Sequence, residues 1–343
     1  MDICRQLYDM AGVDTIVILT PSNTRYLSGY SSTNCQIILT KHNSYFLTDM
    51  RYYFEAKELL GKRFEVLCQD LKSAKSLIEG NKIGIESDIS YGQYRMISQI
   101  AGDSLIDITP SVEMLRSIKT AFEIDCIKKA QIVTELAYGE ALKIIKEGIS
   151  EVELAAYIEY IMKKNCCQIA FESIVAFGDH TACPHAHADQ RRLKNGDFVT
   201  MDIGAKYDGY CSDMTRTVGY GQLSTKQVEI YNHVLNAQNL AIAKLKAGMT
   251  GREGDSIARD YFKDNGLEKY FTHSLGHGVG INIHEGVGLT PREERILQPN
   301  MIVTVEPGLY IDGEFGVRIE DMAQITQDGV IDLTNIDKQL IIL

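Results

Sequence analysis

Four acidic residues in the second half of the chain, Asp202, Asp213, Glu306 and Glu320, stand in apolar, strand-like runs. A buried carboxylate is costly unless it is paired or bound to a cation. Asp202 lies in Phe198-Val-Thr-Met-Asp202-Ile, and Asp213 follows in Tyr210-Cys-Ser-Asp213-Met-Thr. Asp208-Gly209 between them reads as a two-residue hairpin loop. That loop sets Asp202 opposite Thr215 and Asp213 opposite Gly204, so both aspartates share one face at diagonal positions. Like charges that close are unfavourable unless a cation lies between them. Glu306 ends an expected strand over 301–305, and Glu320 sits in Val317-Arg-Ile-Glu320. A turn centred on Gly313 places these two opposite each other, again on one face.

Two hairpins that each present a carboxylate pair can enclose a site rich in hard oxygen ligands. His277, in Leu275-Gly-His277-Gly-Val, can add one nitrogen, and its flanking glycines let backbone or substrate approach closely. Four carboxylates and one imidazole suit two divalent first-row ions: Mn²⁺ or Co²⁺, with Fe²⁺ or Zn²⁺ as alternatives. Four negative charges cancel two dications. Two such ions about 3.5–4 Å apart lower the pKa of a water between them and polarise a carbonyl oxygen. Taken singly, an acidic residue on a strand is more often a surface or turn residue, so the joint pattern carries the reading. Asp208 and Asp312 read as turn residues, and Asp321 as an ordinary acid beyond the ligand position.

The elements that must position these groups fall into two patterns. Up to about residue 115, short β-branched runs (15–20, 36–40, 44–47, 66–68, 83–85, 105–108) alternate with helical segments such as 50–60. This predicts an α/β domain over 1–115. Pro110 marks a break, and 115–120 reads as a connector. Apolar residues at helical spacing then predict a helix over 123–145. Ser150 with Glu153 three residues on predicts a capped second helix. The remainder, to 343, mixes hairpins with helices near 226–247 and 252–265, an α+β pattern. No tandem repeat is evident.

Composition bounds the function class. The 343 residues are 45% apolar and 24% charged, as in an ordinary globular chain. The net charge of −11 argues against a nucleic-acid or anionic-membrane partner. No apolar run spans a bilayer and no secretory signal is seen, so a cytoplasmic location is expected. The eight scattered cysteines include no CxxC pair and read as reduced thiols.

The motifs carry a clear resemblance. Asp202-Ile-Gly-Ala-Lys-Tyr-Asp-Gly-Tyr-Cys-Ser-Asp213-Met-Thr-Arg-Thr217, His273-Ser-Leu-Gly-His277-Gly-Val-Gly, Thr304-Val-Glu306-Pro-Gly-Leu-Tyr310 and Gly316-Val-Arg-Ile-Glu320-Asp321 resemble the pita-bread metallopeptidases, prolidase and aminopeptidase P. In the first half, Asn23-Thr-Arg-Tyr-Leu-Ser-Gly29-Tyr and Thr48-Asp-Met-Arg-Tyr52 are similar to the N-terminal domain of prolidases and creatinase. The resemblance implies an α/β creatinase-type domain (1–115) followed by an α+β pita-bread domain (116–343). It implies a dinuclear-metal hydrolase for the bond before proline, a small peptide substrate with proline second, and a homodimer.

It also implies roles. Asp213 and Glu320 would bridge two metals, Asp202 serving one and His277 with Glu306 the other. His185 would help polarise the scissile carbonyl, His284 would lie near the leaving proline, and Arg318 would line the proline side. Glu306 would shuttle a proton to the leaving nitrogen. His180 and His187 match no family role and read as structural or rim residues. Asp179-His180, and Gly286-Val-Gly288 after His284-Glu285, depart from the family pattern and bear on substrate length. The 14-residue spacing of Glu306 and Glu320 resembles compact prolidases and favours a dipeptidase over aminopeptidase P. Methionine aminopeptidase lacks the first domain. A creatinase-like amidinohydrolase or a non-catalytic binding member would be expected to have lost ligand residues.

Overall fold

The computed structural model describes residues 2–102 and 104–343, which separate into two compact units between Arg116 and Ser117.

In the first unit the strands are β1 (Thr15–Ile18), β2 (Cys35–Thr40), β3 (Ser44–Thr48), β4 (Glu65–Cys68), β5 (Ile83–Ile85) and β6 (Leu105–Asp107). They form one mixed sheet in the order β4-β3-β2-β1-β5-β6. Helices α1 (Ile3–Ala11), α2 (Pro21–Ser28), α3 (Tyr53–Leu60), α4 (Tyr91–Ala101) and α5 (Thr109–Ser117) complete it. The period-two alternation of a strand gives the sheet two apolar faces. Ile16, Ile18, Ile37 and Phe46 pack in one cluster, and Val17, Ile38 and Leu47 in another. Residues 115–117 differ from the expected connector, because α5 continues through Ser117. Pro110 begins this helix instead of breaking one, since a first-turn residue has no intrahelical acceptor for its N–H.

The second unit opens with α6 (Ala121–Ile144) and α7 (Glu151–Lys164) and later carries α8 (Thr225–Lys244) and α9 (Gly251–Asp264). Each of the four begins with a capping box: Thr120 with Glu123, Ser150 with Glu153, Ser224 with Gln227, and Thr250 with Glu253. Its strands are β7 (Gln168–Ile169), β8 (Ile174–Phe177), β9 (Phe198–Ile203), β10 (Ala205–Tyr207), β11 (Tyr210–Cys211), β12 (Met214–Gly219), β13 (Ile302–Val305), β14 (Gly308–Ile311), β15 (Phe315–Arg318), β16 (Asp321–Ile325) and β17 (Val330–Asp332). Residues of α6 and α7 share a core with β8, β9 and β12, whereas α8 and α9 share one with β13 to β16. Each half is thus a helix pair laid against a long hairpin.

The first hairpin turns at Asp208-Gly209, with both residues at positive φ (43° and 77°), as a two-residue type I′ loop requires. The second turns over Asp312, Gly313 and Glu314, flanked by the Ile311–Phe315 pair, with Gly313 at φ 71°. Among the described residues no helix is long and apolar enough to cross a membrane, and the eight cysteines are thiols.

Candidate active site

The registers of the two hairpins decide where the carboxylates go. β12 pairs with β9 so that Thr215 faces Asp202, and nearer the turn Tyr207 faces Tyr210 in the separate ladder of β10 and β11. Asp213 falls in the gap between β11 and β12, opposite Gly204. In the second hairpin Val305 faces Asp321 and Gly308 faces Arg318. Glu306 and Glu320 lie opposite each other in the gap between those pairs. Three of the four carboxylates therefore sit where a ladder is interrupted, so their side chains turn into the cleft while pairing resumes on either side. The amide of Glu320 donates to the carbonyl of Thr215 (3.1 Å), and Thr217 Oγ1 donates to the carbonyl of Arg318 (3.0 Å). These bonds hold the hairpins against each other.

His277 comes from an irregular segment running beside β13. Its carbonyl accepts from Thr304 N–H (2.8 Å), and its own N–H donates to Thr304 Oγ1 (2.9 Å). A Cβ at Gly276 would lie 2.0 Å from the carbonyl oxygen of Thr304, and one at Gly278 2.0 Å from that of Glu285. The flanking glycines thus answer to close backbone approach. Nδ1 of His277 lies 3.2 Å from the carbonyl of Gly278. Donation there leaves Nε2 as a bare lone pair. Nε2 stands 3.5 Å from both Asp213 Oδ2 and Glu306 Oε1.

All five groups line one cavity of about 150 Å³ whose apolar wall is Phe171, Ile174 and Ile283. His185, Asp202, His277, His284 and Glu306 also border an adjoining space of about 290 Å³, reaching Pro184, His273, Thr290 and Arg318. His185 and His284 are exposed at the rim, and the rings of His284 and His277 meet edge to face at 4.0 Å. The sequence had no signal for Phe171, Ile174, Ile283 or Thr290, because isolated apolar or hydroxyl residues have no chemistry that marks them.

Arg318 is the organising cation. It donates to Asp202 Oδ2 (2.7 Å), Thr215 Oγ1 (3.1 Å), Tyr310 Oη (2.7 Å) and the carbonyl of Pro184 (3.2 Å). Thr215 Oγ1 in turn donates to Glu320 Oε2 (2.6 Å). Tyr310 Oη lies 2.9 Å from His273 Nε2, and His273 Nδ1 lies 2.7 Å from the carbonyl of Ser274.

The electrostatics of the site ask for more positive charge. Burial, then the charges of Glu320, Asp202 and Glu306, push the Asp213 carboxyl well up. Burial likewise raises Glu320, reinforced by Glu306 and Asp202. It raises Glu306 to about 8, with Arg318 opposing. Burial, then His284, lowers His277 to about 3. The donor set fits divalent ions. Asp202 Oδ1 is buried with no hydrogen-bond partner among the described residues. Single ligand atoms of Asp213, His277 and Glu320 lie within 4.8 Å of one another. Ligands around one ion at about 2.0–2.2 Å stand up to about 4.4 Å apart.

The other histidines go elsewhere. His180 Nδ1 contacts both oxygens of buried Glu151 (2.9 and 3.0 Å), and exposed His187 lies 3.7 Å from Glu172. Asp321, expected to be an ordinary acid, is fully buried and paired with Arg216.

Residues 125–327 match the model of metallopeptidase family M24, and residues 2–118 match that of the Creatinase/Prolidase N-terminal domain. The chain is 37% identical to a Xaa-Pro dipeptidase of Pyrococcus furiosus, covering 97% of both sequences. The solved structure of a Xaa-Pro dipeptidase from Bacillus anthracis superposes with a TM-score of 0.94 at 39% identity, covering 99% of this chain and 98% of that one. That of an X-Pro aminopeptidase from Thermotoga maritima gives 0.91 at 34% identity, with complete coverage of both. The α/β N-terminal domain is therefore followed by a pita-bread domain, and the protein is a member of metallopeptidase family M24.

Proposed function

We propose that this chain hydrolyses the peptide bond before proline, acting as a Xaa-Pro dipeptidase, with Asp202, Asp213, His277, Glu306 and Glu320 holding two divalent ions. The observation that carries this is Asp202 Oδ1, a buried carboxylate oxygen without a hydrogen-bond partner beside three more carboxylates. Among the described residues Arg318 is the one permanent cation lining the cleft, set against four acids. Removing one partner from a buried charge costs several kcal/mol, so a cage of this composition is built for cations. In this reading Asp213 and Glu320 would be shared by the two ions, Asp202 would serve one, and His277 with Glu306 would serve the other. Mn²⁺ or Co²⁺ suits the oxygen-rich donor set, with Fe²⁺ and Zn²⁺ next.

Bound divalent ions supply an acidified water and polarisation of the scissile carbonyl. The protein supplies the rest. Glu306, held by Thr304 Oγ1 at 3.1 Å, takes the water's proton and delivers it to the leaving nitrogen. His185 at the rim donates toward the developing oxyanion. His284, packed edge-on against His277, and Arg318, fixed by four acceptors, bound the space for the proline ring. Proline has no amide N–H, so this cleft recognises its substrate without that donor. The apolar wall of Phe171, Ile174 and Ile283 receives the residue before proline.

A homodimer is part of this proposal, supported by the resemblance of the motifs. Sedimentation velocity tests the assembly. A second reading, an aminopeptidase acting on longer peptides, is supported by the full-length match to the Thermotoga maritima X-Pro aminopeptidase. Hydrolysis of Ala-Pro against Ala-Pro-Pro by the Mn²⁺-reconstituted chain separates the two. Faster turnover of Ala-Pro supports the dipeptidase, and preference for the tripeptide supports the alternative.

A further inference from the structure

Behind the carboxylate cage lies a second charged cluster that takes no part in lining the cleft. Arg216 is 1% exposed, and each of its five N–H groups has an acceptor. One terminal nitrogen donates to the main-chain carbonyls of Thr215 (3.0 Å) and Glu320 (2.6 Å). The other donates to Asp321 Oδ1 (2.7 Å) and to the carbonyl of Ile336 (2.9 Å). Nε donates to the carbonyl of Asp337 (3.3 Å). The same guanidinium therefore grips the main chain of both hairpins, at Glu320 itself and two residues from Asp213. Its outer edge rests on residues 336 and 337.

Those residues belong to a segment that is itself anchored. Lys338 donates to Asp321 Oδ2, to Gln238 Oε1 (3.0 Å) and to Asp332 Oδ2 (3.2 Å). Gln238 Nε2 completes the shell of Asp321 at 2.6 Å. The segment then runs along the end of β12. Gly219 N–H donates to the carbonyl of Ile341 (2.8 Å), and Leu343 N–H to that of Gly219 (2.9 Å). Arg216, a buried and fully bonded cation, thus joins segment 332–343 to the carboxylate pair.

We propose that Lys338, Arg216 and Asp321 are positioning residues, and that segment 332–343 acts through them to set the geometry of Asp213 and Glu320 and hence the affinity of the cage for divalent ions. This rests on the reading that those carboxylates are metal ligands. Lys338 is absent from the lining of the cleft, so its removal reaches the cage through the Asp321–Arg216 pair behind it. Groups that orient metal ligands typically account for about 10- to 100-fold in metal affinity. Coupling between two sites is reciprocal, so metal binding must in turn stabilise the segment.

The test uses the full chain stripped of metal and titrated calorimetrically with Mn²⁺. Lys338→Met is expected to weaken Mn²⁺ binding about tenfold, with substrate KM unchanged at saturating Mn²⁺. Lys338→Arg is expected to restore most of the affinity. A purely structural role would lower the melting temperature of the metal-free chain and leave the Mn²⁺ affinity of the folded protein unmoved. Hydrogen exchange on the parent gives a second readout needing no variant: saturating Mn²⁺ should slow exchange of the Leu333 and Leu343 amides, which donate to Met322 and Gly219. Unchanged Mn²⁺ affinity in Lys338→Met overturns the proposal. If that variant does not fold, unchanged exchange in the parent overturns it. A parent chain that binds no Mn²⁺ instead overturns the reading of the cage itself.

Discussion

Arg318 donates to Asp202 Oδ2 at 2.7 Å, while Oδ1 of the same carboxylate is buried with no hydrogen-bond partner. One oxygen is clamped and the other is left free, which fixes the carboxylate's orientation and aims an unshared lone pair into the cleft.

Replacing this clamp should be costly in a way that depends on metal. In the metal-free chain, Arg318→Met leaves Asp202 without its cation and is expected to destabilise the fold by about 3–5 kcal/mol. With Mn²⁺ bound, the charge on Asp202 has another partner and the loss should shrink. Urea unfolding with EDTA and with Mn²⁺ measures both values. Equal losses in the two conditions would argue against Asp202 facing a metal.

The pH dependence of stability should invert on metal binding. Burial raises Glu306 to about 8 from 4.5, so its contribution is complete below about 4.5 and lost as pH rises through 8. Asp213 and Glu320 are raised for the same cause and act in the same direction. Burial lowers His273 to about 4 and His277 to about 3 from 6.5. Their contribution is present above 6.5 and lost as pH falls toward those values. The metal-free chain should therefore melt highest between about 4.5 and 6.5 and decline toward pH 8. Metal ligands must be deprotonated, so Mn²⁺ should turn that decline into a rise. Melting curves across pH 4–8 with and without Mn²⁺ test both signs.

Much of this site is legible in the sequence, because hairpin register follows from turn position. Asp208-Gly209 fixes Asp202 opposite Thr215, and Gly313 fixes Glu306 opposite Glu320. The charged cluster behind the site is not legible. Arg216, Asp321 and Lys338 are far apart in sequence, and nothing local says that a lysine at 338 folds back onto the acid beside Glu320. Pro110 misleads as a break because a first-turn proline and a helix breaker look alike without the tertiary context.

Close packing at the histidine gives a steric prediction. Gly276→Ala would set a methyl 2.0 Å from the carbonyl oxygen of Thr304, in a strand that cannot yield without moving Glu306. Overpacking of this kind costs about 1–3 kcal/mol, and the displacement falls on His277. Activity is expected to drop at least tenfold at a temperature where circular dichroism shows the variant folded. Full activity would mean that His277 tolerates displacement and is not a ligand.

The most direct test is to count metal. The EDTA-stripped chain, reconstituted with Mn²⁺ and freed of excess, should hold two ions per chain by mass spectrometric metal analysis and hydrolyse Ala-Pro. Asp213→Asn, which removes the charge of the most central carboxylate, should lose at least one ion and all turnover. A parent chain that hydrolyses Ala-Pro without bound metal, or an Asp213→Asn chain that keeps both ions and full activity, would contradict the account.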